Sequence, residues 1–481
     1  MLTRIEVDGF KNLLGFHVDL GPYTCVAGPN ATGKSNLFDA LRFLSLLADY
    51  PIMEAAQRVR SAAGQPSDPR DLFWTDGERR AQEMSFAVEL IVPREVVDDF
   101  GRSTNATSTF LRYELVLGHE GASNVTGFEH LGRLVLRREQ LSYITKGDAA
   151  GHLRFPHGVG TFRDAIVHNQ RKGGDFISTV EEDGHLTIRV HQDGGSRGQP
   201  KPSPATSAPK TILGTTTTSS DPTILAARRE LQSWRFLAFE PSAMRAPDAF
   251  VVAASAKSAQ IAANGGHMAA ALYRLAMDTA RRTGSEPEDV YARVATRAAE
   301  LIRVADLRID RDDTRELLTL ELSEVGRGFM PARALSDGTL RFLALCLIES
   351  DPDTLGLWCI EEPENGIHPA RIEAMVRLVR ELAVDPQDTP SPDNPLRQVL
   401  VNTHSPHFVQ LQNPADLLLA TEATVRGPAD RPATALRLRP LADTWRCSPA
   451  EAGVGMSAVI AYLTAPPNAQ LTLDEDALAA E

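Results

Sequence analysis

The chain has 481 residues, 42% hydrophobic and 23% charged, the profile of an ordinary soluble globular protein large enough for several lobes with real cores. A formal net charge of −13 argues against a surface coated with nucleic acid, although it leaves room for a local basic groove. No apolar run approaches the roughly 18 residues of a membrane span, no signal-peptide layout opens the chain, and four scattered cysteines (Cys25, Cys346, Cys359, Cys447) form no CxxC pair, so a cytoplasmic location with buried free thiols is expected.

The first informative stretch in chain order is TCVAGPNATGKSNLFDALRFLSLL. A short β-run, Tyr23 to Ala27, enters Gly28-Pro29-Asn30-Ala31-Thr32-Gly33-Lys34-Ser35, and a helix with Leu37, Leu41, Leu44 and Leu47 on one face follows. This is G-x-x-x-x-G-K-S between a strand and a helix, the context that gives the pattern its meaning. Glycines let backbone N–H groups close around phosphate oxygens, and the helix N-terminus adds partial positive charge. Lys34 is placed to reach β- and γ-phosphates, and Ser35 to offer its hydroxyl to Mg²⁺. Residues Gly28 to Asn36 are therefore the expected nucleotide cradle.

Alternating runs at 84–92, 110–117 and 133–144, with FAVELIV and YELVL the clearest, predict antiparallel strands, and HLTIRV (185–190) adds another. Residues 191–222 are rich in Gly, Pro, Ser and Thr and read as a flexible insertion. WRFLAFEPSAMR (234–245) reads as a strand and turn entering a second lobe. Residues 251–305 are alanine-rich with helical period, predicting two or three helices broken at Gly284 and Pro287, and 307–325 predicts a hairpin. No heptad pattern is sustained, which excludes a long coiled-coil arm.

Three motifs then follow closely. ALSDGTLRFLALCLIES (334–350) is a small-residue loop opening a helix, either an N-capped helix or a second phosphate-facing nest. LWCIEEPENGIHP (357–369) is a buried strand running into Glu361, Glu362 and Glu364, acids that repel one another unless a cation sits among them. With a phosphate loop upstream, Glu361 is placed to hold Mg²⁺, while Glu362, on the other face of the strand end, can orient or deprotonate a water. Glu364 fits a surface loop as well as a function. QVLVNTHSPHFV (398–409) is a strand ending in Thr403-His404-Ser405, a polar turn or a histidine positioned for a γ-phosphate. His404 and His407 lack the helix and third ligand of a zinc site. DLLLATEATVRG and ATALRLRPL predict closing strands ahead of an acidic LDEDALAAE tail.

Together, GFKNL (9–13), GKSN, LSDGT, EEPENGIHP and THSPHF resemble the ABC-type ATPase heads of the RecF/SMC/OLD (overcoming lysogenization defect) class. They are most similar to its bacterial stand-alone AAA-type ATP-binding proteins. The resemblance covers residues 1–60 and 300–420. It implies an α/β P-loop NTPase with a mixed central sheet, a flanking antiparallel sheet near the adenine and a helical second lobe without a long coiled coil. It also implies a head-to-head dimer sandwiching two ATPs. Gly28 to Asn36 then bind nucleotide, Ser35 and Glu361 bind Mg²⁺, Glu362 is the base and His404 the switch histidine. Ser336, Asp337, Gly338 and Thr339 act as a signature in trans, and Asn365 to His368 form the D-loop. Glu361 replaces the commoner aspartate, and Asp337 brings an acid near the partner's ATP, where repulsion is expected. No glutamine is placed as a Q-loop; Gln57, Gln65 and Gln82 are unconvincing.

The expected organisation is an ATPase lobe at 1–245, a helical lobe with hairpin at 246–330, and a segment at 331–481 with signature, Walker B, histidine switch and closing strands. The expected function is an ATP-hydrolysing switch, a homodimer or higher oligomer, acting on DNA or on a separate effector such as a nuclease, in DNA repair or anti-phage defence. The alternatives are a slowly hydrolysing ATP-bound scaffold and, less favoured, a transporter's nucleotide-binding subunit; no membrane partner is expected. The 77 residues after His404 are too few for an appended nuclease domain plus closing strands.

Overall fold

The computed structural model describes residues 1–30, 32–59, 68–121, 132–171, 173–193, 199–254, 259–427, 431–447 and 453–464. Of the features above, Ala31, Gln65, residues 194–198 and the acidic tail lie outside them.

Six strands build the central sheet, in the order Arg235–Leu237, Gly356–Glu361, Arg397–Thr403, Tyr23–Ala27, Leu417–Arg426 and Pro432–Pro440. Neighbours are parallel except the last pair, which is antiparallel. Parallel strands covered on both faces need apolar side chains at nearly every position, so LWCI and VLV read as unbroken runs. Their side chains divide by parity between two cores. Val26, Leu357, Cys359, Leu400 and Leu418 enter one with helix Lys34–Leu47. Cys25, Trp358, Ile360, Val399, Val401 and Leu419 enter the other with helices Met268–Thr283, Asp337–Ser350 and Ile372–Glu381. Each large aliphatic side chain so buried contributes on the order of 1.5–3 kcal/mol, which fixes the sheet between its two layers. Cys25, Cys346 and Cys359 are buried free thiols, as expected, and Cys447 is half-buried.

An eight-stranded antiparallel sheet flanks this body, in the order Lys201–Pro204, His185–Val190, Ile177–Glu182, Arg133–Tyr143, Phe110–Glu120, Glu83–Ile91, Leu2–Asp8 and Phe16–Asp19. The four runs predicted from alternation each fall on one of its strands.

Where residues 191–222 are described, they correct the reading of a flexible insertion. Lys201–Pro204 is the outermost strand, paired with His185–Val190. A proline cannot donate to a ladder but is tolerated at a sheet edge, so a Pro- and Ser-rich run can be a strand there. Thr211 and Leu213 are buried. The fully buried Glu139 carboxylate accepts from the N–H groups of Ile212 (2.7 Å) and Leu213 (2.9 Å) and from the Tyr113 hydroxyl (3.2 Å). Burial pushes the Glu139 carboxyl up to about 7.

The second lobe follows its punctuation. Helix Met268–Thr283 stops at Gly284, whose φ of +74° suits glycine, and helix Pro287–Ala299 starts with proline in its first turn and a Glu286/Asp289 capping box. Asp306–Asp312 and Leu317–Ser323 form the expected hairpin. The longest described helix has 16 residues, so no long coiled coil occurs among the described residues.

Candidate nucleotide-binding site

The Gly-rich loop leaves strand Tyr23–Ala27 and enters helix Lys34–Leu47 through Gly33, at a φ of +92°. Glycine is required here, because an added Cβ would lie 2.0 Å from Asn12 Nδ2. The Gly28 N–H donates to Thr403 O at 3.2 Å, joining the loop to the neighbouring strand. Lys34 folds back, its Nζ donating to Gly28 O (2.7 Å) and Pro29 O (2.6 Å). Burial pulls its ammonium down to about 8, against an opposing pull from Glu362. A buried cation bonded to neutral carbonyls is a place where an anion would be stabilised. Thr32 closes the turn, its hydroxyl donating to Pro29 O at 3.0 Å. Ser35 and Asn36 follow in the first helical turn, half-buried, and Asn30 lies exposed at the loop's outer side.

Glu361 ends its strand level with Asn402, which is level with Val26, so the acids and the loop open at the same sheet edge. Glu362 does not continue the strand's alternation to the opposite face. Its φ of +45° turns the backbone out of the strand, and its N–H donates to Asn402 O at 2.8 Å. Left-handed backbone at a non-glycine residue costs roughly 1–2 kcal/mol and marks a constrained position. The Glu362 Oε1 lies 2.8 Å from His404 Nδ1. An ionised carboxylate only accepts, which makes Nδ1 the donor in this pair.

Glu364 is not a surface acid. It is only 8% exposed; Oε1 accepts the Thr403 hydroxyl, Oε2 has no partner, and burial raises its carboxyl above the usual range.

Ser336 caps helix Asp337–Ser350, accepting from the Thr339 N–H at 3.3 Å. Asp337 is paired: Arg245 forms an ion pair with it and also donates to Leu335 O at 3.2 Å. Gly338 packs on the loop after Glu362, since an added Cβ would meet Ile367 Cδ1 at 3.3 Å and Gly366 O at 3.6 Å. Arg341, one turn on, is buried over the Phe239 ring. Burial lowers its affinity for its proton, while Asp337, Glu364 and Glu362 act in the opposite direction. Lys34 and Arg341 are thus two protein cations within electrostatic reach of Glu362.

The structure brings Lys34, Glu362 and His404 to one mouth and places Ser336 to Thr339 on a separate helix touching that mouth through Gly338. The sequence alone assigned no role to Asn12, Arg245, Arg341 or Thr403, although all four lie in stretches quoted above. Among the described residues, no group of three or more His, Cys, Asp and Glu side chains forms a metal centre. Ser35 and Glu361 offer oxygen only, which fits Mg²⁺, an ion that completes its shell with phosphate oxygens and water.

The fold is α/β, with the G-x-x-x-x-G-K-S loop set between a strand and a helix and the strand that ends just before His404 lying between the loop's strand and the acid-tipped one. More particularly, residues 270–410, under a third of the chain, match the family described as "AAA domain, putative AbiEii toxin, Type IV TA system". The match includes Ser336 to Thr339, both strand-end glutamates and His404, but not the Gly-rich loop. The chain is distantly similar to the SmcHead bound to the C-winged helix domain of ScpA (12% identity, 92% of this chain, 98% of that one, TM-score 0.45). It is also similar to the Pyrococcus furiosus Smc head with an extended coiled coil bound to the C-terminal domain of ScpA (12%, 91% and 96%, TM-score 0.40). A third likeness is to the Thermotoga maritima SMC head (10%, 92% and 99%, TM-score 0.35). No curated protein matches the chain. Among the described residues, no helix is long and apolar enough to cross a membrane.

Proposed function

We propose that this chain is an ATP-hydrolysing switch that closes as a dimer around two ATPs and acts on DNA or on a separate effector such as a nuclease. The observation that carries the reading is the Glu362–His404 pair at 2.8 Å, at a mouth where Glu362 is also felt by Lys34. Gly28 to Asn36 cradle the phosphates, with Lys34 as their cation. Ser35 and Glu361 hold Mg²⁺, which when bound neutralises phosphate charge. Glu362 takes a proton from the attacking water, and His404 holds that carboxylate in place. Ser336 to Thr339 face the partner's γ-phosphate, with Arg245 offsetting Asp337. The wording of the family description, which names a toxin–antitoxin system, supports a defensive role over repair.

Mixing two variants tests the sandwich. Ser336→Arg blocks the signature while leaving the loop intact, and Lys34→Ala does the reverse. Each alone is expected to lose turnover, and a mixture to regain part of it, because one composite site of the heterodimer is intact. No recovery in demonstrated heterodimers overturns the reading.

A further inference from the structure

The GFKNL stretch is absorbed by none of the roles above, yet it is anchored on several sides. Phe10 is fully buried against Phe43 of the loop's helix (centroids 6.2 Å apart) and Phe86 of the flanking sheet (5.5 Å). The Lys11 N–H donates to Leu72 O at 2.8 Å, its ammonium meets Asp39 Oδ2 at 2.6 Å, and the Leu436 N–H donates to Asn12 O at 3.0 Å. The backbone turns through positive φ at Gly9 (+73°) and Lys11 (+46°). Such a turn holds one side chain, Asn12, in a fixed place over the Gly-rich loop.

Asn12 uses both ends of its amide there. Nδ2 donates to Thr32 O at 3.3 Å, and Oδ1 accepts from Asn36 Nδ2 at 2.8 Å. Thr32 O can only accept, so Nδ2 is the end of the amide that faces it, and Oδ1 is left to accept from Asn36. In a trans peptide the C=O and the following N–H point in opposite directions. Drawing Thr32 O toward Asn12 therefore turns the Gly33 N–H away from Asn12, into the loop. The tight packing of Asn12 against Gly33, where no Cβ fits, prevents that peptide from rotating back.

We propose that Asn12, held by Asn36, is a positioning residue that pins the Thr32–Gly33 peptide so that the Gly33 N–H faces a diphosphate. The proposal rests on the nucleotide-binding reading. It also gives the asparagine of GKSN a physical reason: Asn36 supplies the N–H donor that holds the far end of the Asn12 amide.

The test is calorimetry of Mg–ATP and Mg–ADP on the full chain carrying Asn12→Ala, Asn12→Asp, Asn36→Ala and the double alanine variant, beside Lys34→Ala. Asn12→Ala should weaken ATP and ADP about equally, by about tenfold, with an unchanged melting temperature. Asn12→Asp, which presents a carboxylate oxygen to Thr32 O, should weaken both at least as much. Asn36→Ala should reproduce the effect without altering Asn12, and the double variant should be no worse than Asn12→Ala alone. In turnover assays KM should rise with kcat within twofold, whereas loss of folded protein would lower kcat. Affinities within twofold of wild type in both Asn12→Ala and Asn36→Ala, with Lys34→Ala still disruptive, overturn the brace and spare the parent reading. A wild-type chain that binds no nucleotide overturns both.

Discussion

His404 Nδ1 lies 2.8 Å from Glu362 Oε1, so the first residue beyond one central strand is bonded to the first residue beyond its neighbour. The contact holds a carboxylate whose own backbone is left-handed, at the edge where the Gly-rich loop opens.

Glu362→Gln should therefore leave ATP bound and stop its turnover. Glutamine keeps the size and one acceptor but takes no proton, and general-base catalysis contributes about 10²–10⁴-fold. Phosphate release should fall by that order, and light scattering with ATP should record a longer-lived dimer. Turnover at the wild-type rate would remove Glu362 from the chemistry.

Lys34 makes ATP binding depend on pH. Burial holds its ammonium down to about 8, whereas phosphates would favour the charged form. Above pH 8 binding must take up a proton, so affinity should fall toward tenfold per pH unit. Calorimetry at pH 8.5 in buffers of different ionisation enthalpy should detect this uptake; identical heats would contradict it.

Glu139 makes stability depend on pH with the opposite sign to a salt-bridged carboxylate. Its folded value of about 7 exceeds the ordinary 4.5, so the folded chain binds more protons between these values. Its contribution is fully present below about 4.5 and lost as pH rises through about 7, a change on the order of 3 kcal/mol. Urea unfolding of wild type and Glu139→Gln should diverge over that window; a constant difference would rule the effect out.

Thr403→Val should destabilise the fold by about 1–3 kcal/mol, because Glu364, which already has one unpartnered oxygen, loses the hydroxyl bonded to the other. Adding Glu364→Leu should recover part of that loss, since a buried polar group without partners is worse than an apolar one. A double variant no more stable than Thr403→Val would refute this account.

What was legible in the sequence was what neighbours in sequence decide. Tyr23 to Ala27 and Leu37 to Leu47 declare a strand and a helix by local period, and the glycines between them need a turn. Gly284 and Pro287 mark a helix end and the next helix start for equally local reasons. Glu364 was illegible because its burial depends on Thr403, on another strand. The pairing of Asp337 was illegible because Arg245, far upstream, is invisible to any window around it. Residues 201–204 looked like spacer because Pro and Ser lower strand propensity, and their position at an edge, which excuses proline, is a property of the sheet.

The strand bearing the Gly-rich loop is hydrogen-bonded on one side to Arg397–Thr403 and on the other to Leu417–Arg426. Both partners lie more than three quarters of the chain length downstream. On the ribosome, this N-terminal strand must wait unpaired until almost everything else has been made, with loop closure of that length setting a slow step. Nucleotide therefore cannot template early folding, and a ribosome stalled before the closing strands should hold a nascent chain that carries every residue of the Gly-rich loop and captures no ATP.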